Sequence, residues 1–526
     1  LPICFIAWPF TPWAYFDSME TLPSAKDRIE VLPALLCAGE YQSLVVNLTS
    51  VSGSALDLRV SCGPFDGHED VSVAQHVELR RAVSVPTVRR ERVADALPKL
   101  DEAGLLRIAP LASEQLWITV NAVDLEPGTY TTSIRIKSLE PDPSEVEIPL
   151  AIHVHDLALP RPRPFRFCLW AYDGGDLGTD RPDVLEDLVE HGVTVFFGQP
   201  PEATCDENGT LVWPLDFGRH DESVARLAPH GFLLFASPQG RLTGQPFLSE
   251  PWRKAFVQYL RAWAGHMKEL GIANDSWALY PYDEPSTPYA ETTLNLVEVA
   301  KLVREADPNI LIYTDPTSGT TMETVRMFTG LIDIWCPSSE LLERLGPELV
   351  PAAHKAGKEV WFYDAAGRSK TLSCLGLYRW RFWHAWTQGF TGAGWWCYAQ
   401  HGGLDRWDGP NASGDFFATV YDGVDGVVSS KRWEIAREGV QDYEYLYMLR
   451  EAIRDAERRG VPAARLASAK ELLNTLPAEM EATLLSVGRR IPLSTDSVPL
   501  YEEATKAVAD ARAKVVEVCL HVKELE

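Results

Sequence analysis

The sequence lacks the signals of several large protein classes. No apolar run approaches the roughly 20 residues that a membrane-spanning helix needs. No GxGxxG pattern or phosphate-binding loop follows the first strand of the central region, so a nucleotide ligand has no support. Acidic residues outnumber basic ones by 74 to 49, and the net charge is −25. This balance argues against nucleic acid and anionic membranes as partners, because both need a basic surface.

The nine cysteines include no CxxC pair, and their number is odd. A zinc site and a complete disulfide framework therefore both lack support, and we expect neither a metal nor another cofactor. Cys168, Cys336 and Cys397 lie within apolar strand candidates, which predicts buried free thiols. The sequence begins at Leu1 rather than Met, which leaves the compartment open, and we favour a secreted or periplasmic location over a cytoplasmic one.

Aromatic residues are abundant, with 17 tryptophans and 17 tyrosines. Flat rings are the usual stacking surface for sugars, although core packing uses them equally well. The length of 526 residues suggests two to four domains. We expect a multidomain fold with an N-terminal β-sandwich, a central (β/α)8 TIM barrel and a C-terminal α-helical region, at residues 1–160, 161–430 and 431–526.

The first region reads as all-β. Short β-rich runs recur at 44–49, 116–120, 131–136 and 146–154, a spacing typical of a sandwich. A boundary follows at 159–164, where three prolines remove backbone donors and fix φ.

The central region alternates short apolar strands with longer helical stretches. The eight strand candidates are 165–172, 193–198, 231–237, 276–283, 310–315, 331–337, 359–364 and 394–399. Near-continuous apolar strands are typical of a parallel sheet covered by helices, and eight of them in this length favour a TIM barrel over an open sheet. Three helical segments then follow at 431–459, 462–485 and 500–525, each with an apolar stripe, as in a small bundle.

The fourth strand candidate ends in two adjacent carboxylates, Asp283 and Glu284, before Pro285 stops it. TIM-barrel active sites lie at the carboxyl ends of the strands. The other strand ends add polar and aromatic groups, and the predicted substrate-binding residues are Trp170, Tyr172, Tyr282, Asp315, Tyr363, Asp364, Trp396 and Tyr398. Gln400, His401 and Asp405 follow the eighth strand. A mouth of carboxylates, Trp and Tyr suits a carbohydrate substrate, because glycoside cleavage needs a proton donor and a negative group.

Two mechanisms are open. In one, Glu284 is the acid/base and Asp364, at the end of strand seven, is a nucleophile about 5 Å away. In the other, the 2-acetamido oxygen of the substrate attacks the anomeric carbon, Asp283 holds the acetamido nitrogen, and the ionised Asp283 favours the protonated form of Glu284. Consecutive strand residues face opposite sides, so this second mechanism requires the backbone to turn at Pro285.

The run Asp283-Glu284-Pro285 resembles the Asp-Glu pair of glycoside hydrolase family 123, the β-N-acetylgalactosaminidases, and of a related group of uncharacterised barrel domains. The similarity covers roughly 165–450. It includes the stretches 358–363, 392–396 and 437–446, together with Arg379, Trp383 and Trp386. The resemblance implies substrate-assisted catalysis, with Asp283 as stabiliser and Glu284 as acid/base.

The chain departs from the family where substrate is contacted, at Asp364 and in the strand-eight run Trp-Trp-Cys-Tyr-Ala-Gln. Three hypotheses follow. The first is a retaining exo-acting β-N-acetylhexosaminidase, with N-acetylgalactosamine as the expected sugar. The second is a two-carboxylate retaining glycosidase on a 2-hydroxy sugar, with Asp364 as nucleophile. The third is a carbohydrate-binding protein without catalysis.

Overall fold

The computed structural model describes residues 4–24, 27–87, 89, 91–365, 369–399, 406, 407 and 417–525. The chain divides into two compact units. One unit contains Leu1–Pro164, Gly367–Thr387 and Ala399–Glu526, and the other contains Phe165–Ala366 and Gln388–Tyr398. The fold is multidomain, with parallel and antiparallel sheets and a helical C-terminal region.

The N-terminal part of the first unit is almost entirely β. Its elements are β1 (Phe5–Pro9), β2 (Leu32–Ala38), β3 (Tyr41–Ser50), β4 (Leu56–Cys62), α1 (Val73–His76), β5 (Val77–Arg81), β6 (Val83–Pro86), β7 (Arg92–Leu97), β8 (Leu105–Ile108), β9 (Ser113–Asn121), β10 (Gly128–Ser138) and β11 (Glu145–Ala158). The four β-rich runs of the sequence lie in β3, β9, β10 and β11, which confirms them as strands.

Two sheets share one hydrophobic core in this region. Their strand orders are β1-β3-β9-β5 and β2-β11-β10-β4-β8. Inward-facing residues of both sheets, such as Leu48 and Ile118 from one and Ile134 and Ile152 from the other, belong to the same buried cluster. Burial of one face of each sheet is the stabilising contact of a two-sheet sandwich.

The second unit contains a nine-stranded parallel sheet. Its strands are β12 (Arg166–Cys168), β13 (Val195–Gly198), β16 (Phe232–Ala236), β18 (Trp277–Tyr280), β19 (Leu311–Thr314), β20 (Ile334–Trp335), β21 (Glu359–Val360), β22 (Tyr363–Asp364) and β23 (Gly392–Trp395). A small separate sheet holds β14 (Glu202–Cys205), β15 (Leu211–Asp216) and β17 (Leu242–Thr243). The parallel order is β21-β20-β19-β18-β16-β13-β12-β23-β22. Every predicted strand segment therefore contains observed strand, whereas the small sheet was not predicted.

Helices follow most of these parallel strands. They are α2 (Pro182–Glu190), α3 (Gly218–Leu227), α4 (Glu250–Glu269), α5 (Glu291–Ala306), α6 (Met322–Phe328) and α7 (Ser339–Lys355). Each begins after a strand end and buries one face, as Trp252, Phe256 and Trp263 do in α4. None of the described helices has the length and apolarity needed to cross a membrane.

The C-terminal part of the first unit is mainly helical. A π-helical turn (Cys374–Arg379) leads into α8 (Trp380–Gln388), and β24 (Tyr421–Gly423) and β25 (Gly426–Ser430) precede α9 (Lys431–Arg458), α10 (Ala467–Ser486) and α11 (Val498–Glu524). Short 3-10 turns lie at Pro238–Arg241, Asn274–Ser276, Ser369–Thr371, Ala463–Leu466 and Thr495–Ser497. β24 and β25 form an antiparallel sheet with β7 and β6, a long-range pairing that no local pattern predicted.

The first half of α9 is buried all round, which differs from the predicted apolar stripe. Several of its charged groups form ion pairs. The Arg379 guanidinium donates to Asp442 at 2.6 and 2.9 Å and to Glu438 at 2.9 Å. Arg512 donates to the same Asp442 at 2.6 Å, and these guanidinium groups hold the pKa of Asp442 below its usual value despite burial. Buried charges are tolerated when paired and hydrogen-bonded in this way.

Candidate active site

Strand β18 ends earlier than its sequence suggests. The observed strand stops at Tyr280, three residues before Asp283, so strand alternation does not govern the two acids. Glu284 has a left-handed backbone with φ of 45°. The turn therefore lies at Glu284 rather than at Pro285, and both carboxylates are exposed to solvent. An incoming ligand can reach both acids.

The Asp283 side chain is oriented by Tyr280. The tyrosine hydroxyl donates to Oδ1 of Asp283 at 2.5 Å. The same hydroxyl lies within hydrogen-bond distance of Oδ2 of Asp315, which follows β19. Tyr280 is 5% exposed, and burial is the main cause that raises the pKa of its hydroxyl well above the usual value. It therefore remains a protonated donor at neutral pH.

Glu284 is held at two points. The Tyr363 hydroxyl, on β22, donates to Oε1 of Glu284 at 2.5 Å. The backbone N–H of Glu284 donates to Oδ1 of Asp315 at 3.1 Å. Asp315, predicted to contact substrate, instead directs both carboxylate oxygens at protein groups and is 1% exposed. The structure thus brings four carboxyl and phenol groups from three strand ends into one connected set around Glu284.

Aromatic side chains adjoin this set. The Trp170 ring lies 5.4 Å from that of Tyr363, and the Tyr172 ring lies 5.0 Å from that of Phe197. Tyr172 and Tyr282 are half-buried, whereas Trp170 is 4% exposed and packs mainly against other rings. Burial raises the pKa of Tyr282 to about 12, so its hydroxyl is a donor at neutral pH.

Asp364 faces away from Tyr363. The two residues are consecutive in β22, and they pair in parallel register with Trp395 and Gly394 of β23 respectively. Because side chains alternate along a strand, Asp364 shares the face of Trp395, whose ring packs at 5.2 Å on Phe167. Tyr363 is on the face that meets Glu284. This arrangement does not favour Asp364 as the nucleophile opposite Glu284.

Trp396 and Tyr398 follow the end of strand β23 at Trp395 and differ in burial. Tyr398 is fully buried, and its hydroxyl donates to Asp187 at 2.7 Å. It therefore lies in the core, and only Trp396 retains partial exposure. Gln400, His401 and Asp405 lie outside the described residues.

Sequence reasoning missed Tyr280 as a site residue. It was treated as part of an apolar strand, yet a tyrosine at a buried strand end needs a partner for its hydroxyl. Two carboxylates, three and 35 residues further along the chain, are those partners. That requirement was the signal available in the sequence.

One group of possible metal ligands occurs among the described residues, namely His220, Asp221 and His266. The Trp263 indole N–H donates to Nε2 of His220 at 2.8 Å, so the remaining proton of the neutral ring is on Nδ1, which faces Oδ1 of Asp221 at 2.9 Å. Neither nitrogen of His220 then presents a lone pair to a cation. The arrangement fits a hydrogen-bonded cluster between α3 and α4 rather than a metal centre.

Residues 240–449 match the family model of the glycoside hydrolase 123 catalytic domain. The protein is a glycoside hydrolase, with a segment similar to this catalytic domain. The matched segment contains Asp283, Glu284, Asp315 and Tyr363, as well as the stretch 437–446 on which the resemblance was based. No curated protein matches the chain in sequence.

One solved structure is similar in fold over nearly the whole chain. The glycoside hydrolase is similar to a family 123 glycoside hydrolase from Clostridium perfringens, with 12% identity over 98% of this chain and 99% of that chain and a TM-score of 0.69. A family 39 glycoside hydrolase from Bacteroides cellulosilyticus aligns over 78% and 82% of the two chains, with 13% identity and a TM-score of 0.37. A β-D-glucuronidase from Dictyoglomus thermophilum aligns over 80% and 74%, with 11% identity and a TM-score of 0.31.

Proposed function

We propose that this glycoside hydrolase is a retaining, exo-acting β-N-acetylhexosaminidase, acting on β-linked N-acetylgalactosamine with the substrate's 2-acetamido group as nucleophile. Asp283 is the stabiliser and Glu284 is the acid/base. The observation that carries the proposal is the separate orientation of two adjacent, accessible carboxylates. Tyr280 holds Asp283 and Tyr363 holds Glu284, so each acid has its own fixed direction.

The chemistry follows from this division. Glu284 donates a proton to the glycosidic oxygen while the acetamido carbonyl oxygen attacks the anomeric carbon, and Asp283 accepts the acetamido N–H. Because Tyr363 occupies Oε1 of Glu284, Oε2 is the oxygen left for proton transfer. Glu284 then removes a proton from the water that opens the cyclic intermediate. Two inversions at the anomeric carbon give overall retention.

The parallel sheet supports a closed (β/α)8 barrel. Its terminal strands, β21 and β22, belong to one continuous segment, 359–364. The Trp361 N–H donates to Trp335 at 2.7 Å on one side, and the Gly394 N–H donates to the Phe362 carbonyl at 3.0 Å on the other. A segment bonded on both sides leaves no free edge. The domain limits 1–160, 161–430 and 431–526 belong to the same proposal.

The substrate class is a glycan or glycoconjugate. The Clostridium perfringens structure was described in connection with glycolipid glycan hydrolysis, and glycolipid glycans are therefore included among the proposed substrates. Trp170, Tyr172, Tyr282 and Trp396 are the proposed sugar contacts beside the pair, with Tyr363 acting through Glu284. Partially exposed rings such as Tyr172 and Tyr282 offer stacking area at low entropic cost.

The test compares an aryl β-N-acetylgalactosaminide with the corresponding aryl β-galactoside. The first should be hydrolysed and the second should not, because only the first carries the internal nucleophile. Glu284→Gln should lower turnover of an unactivated glycoside by at least about 100-fold, the scale of a positioned general acid. Glu323→Gln, a change of an exposed acid on α6, is the matched control. Full turnover by the Glu284 variant, or equal cleavage of both sugars, would contradict the proposal.

A further inference from the structure

One tyrosine hydroxyl is shared by two carboxyl groups. The Tyr280 oxygen lies 2.5 Å from Oδ1 of Asp283 and also within hydrogen-bond distance of Oδ2 of Asp315. A phenol has a single proton to donate. If both carboxyl groups were ionised, one of these two oxygen–oxygen contacts would contain no proton. The geometry therefore requires one additional proton in the set.

Burial indicates where that proton resides. Asp315 is 1% exposed, whereas Asp283 is open to solvent. Within the described residues Asp315 has no ion-pair partner, and its nearest charged neighbours are the acids Asp283 and Glu284. An isolated buried carboxylate is strongly disfavoured. Burial first, and then the neighbouring Asp283 carboxylate, raise the pKa of Asp315 well above its usual value.

We propose that Asp315 is a neutral positioning residue that sets both members of the catalytic pair. Its carboxylic acid O–H donates to the Tyr280 oxygen, and Tyr280 in turn donates to Asp283. The other oxygen of Asp315 accepts the Glu284 N–H at 3.1 Å. The role of Asp283 in this chain of hydrogen bonds rests on the proposed function.

The arrangement has a physical consequence for each acid. A donor that is itself hydrogen-bonded is a stronger donor, so Asp315 strengthens the Tyr280 contact with ionised Asp283. On the other side, the bond to the Glu284 N–H holds a backbone with φ of 45°, a conformation that an L-residue with a side chain rarely adopts. One buried side chain thus orients the stabiliser through Tyr280 and the acid/base through the main chain.

The decisive comparison is between Asp315→Asn and Asp315→Ala. The Asn amide can donate to Tyr280 and its oxygen can accept the Glu284 N–H, so it reproduces both bonds of the neutral acid. We expect Asp315→Asn to keep kcat within about fivefold of the wild type and Asp315→Ala to lower it by at least about 100-fold, as for loss of two buried hydrogen bonds plus misorientation of the pair. An Asn variant as slow as the Ala variant would show that the negative charge is needed, and would overturn the proposal.

Tyr280→Phe gives a second measurement that is independent of the folding of Asp315→Ala. It should lower kcat on the aryl acetamido glycoside in the wild-type background and have no further effect in an Asp283→Asn background, because Tyr280 acts through Asp283. Equal effects in both backgrounds would overturn the relay. Circular dichroism and Tm measurements on every variant check that the fold is kept.

Failure of the proposed function would give different kinetic results from failure of the proposed role of Asp315. If the enzyme cleaves 2-hydroxy sugars and not acetamido sugars, the proposed function is wrong, but the Asn–Ala contrast at Asp315 can still be measured on the sugar that is cleaved. If the acetamido sugar is cleaved and Asp315→Asn is inactive, the proposed function stands and the neutral role of Asp315 is wrong.

Discussion

The Tyr363 hydroxyl donates a 2.5 Å hydrogen bond to Oε1 of Glu284, although 79 residues separate the two in sequence. The donor lies on β22 and the acceptor in the loop after β18. Burial, together with the nearby carboxyl groups of Asp315 and Glu284, raises the pKa of Tyr363 far above its usual value. The phenol is therefore protonated at neutral pH, and its bond to Oε1 leaves Oε2 of Glu284 for the proposed proton transfer.

Tyr363→Phe should lower kcat by about 10- to 100-fold with little change in KM, because Glu284 becomes charged as it gives up its proton and a hydrogen bond to a charged group contributes about 1.5–3 kcal/mol. Steady-state kinetics on the aryl acetamido glycoside measure both constants. Tyr289→Phe is the matched control, since Tyr289 is 75% exposed and its hydroxyl bonds Glu323 away from the site. Equal losses in the two variants would argue against a specific role for Tyr363.

Asp364→Asn distinguishes the two glycosidase mechanisms. Because Asp364 shares a strand face with Trp395 rather than with Tyr363, we expect kcat to change by less than about threefold, within the range of a substitution outside the reacting groups. A nucleophilic Asp364 would instead make this variant as inactive as Glu284→Gln. Parallel assays of both variants on acetamido and 2-hydroxy aryl glycosides provide the comparison.

Titration of the Glu114 carboxyl, on β9, should make the stability of the fold depend on pH. Burial raises the pKa of this carboxyl to about 7, an effect that Arg81 partly opposes. The folded state then holds the proton more tightly than the unfolded state, so this contribution to stability is largest at low pH and is lost as pH rises towards 7. Glu114→Gln cannot ionise, and it should stabilise the fold at pH 8 by at most about 3 kcal/mol and by much less at pH 5.

Thermal unfolding of the wild type and of Glu114→Gln at pH 5 and pH 8 measures this difference. Glu102→Gln, at an exposed position of the same unit, is the control for loss of a charge alone. A Tm gain that is equal at the two pH values would show that the effect does not come from titration of Glu114.

The strands and helices followed from local pattern because the parallel strands are apolar along most of their length. Segments such as Phe232–Ala236 are buried at nearly every position, so a run of apolar residues predicts the strand directly. Strand ends were less predictable. Apolar residues continue in the sequence beyond β18 and β23, although the regular strands end at Tyr280 and Trp395.

The proposed catalytic pair was singled out from the sequence because adjacent acids are conspicuous after an apolar strand. Their supports could not be predicted, since a hydroxyl partner depends on three-dimensional register between strands. Asp315 at the end of β19 reads in sequence as another site acid, and only its burial shows that it bonds Tyr280 and the Glu284 main chain. Similarly, β7 pairs with β25 across more than 300 residues of sequence, and no local sequence pattern indicates this contact.

At Glu284, which has a left-handed backbone, the residue that the proposed activity needs is not the residue that gives the most stable fold. A residue with a side chain at φ of 45° is disfavoured by about 1–3 kcal/mol, whereas glycine adopts this conformation without penalty. Selection for heat resistance alone would therefore favour Glu284→Gly and discard the proposed proton donor. The chain keeps a residue with a strained backbone at this turn. This is expected where selection for activity outweighs selection for stability.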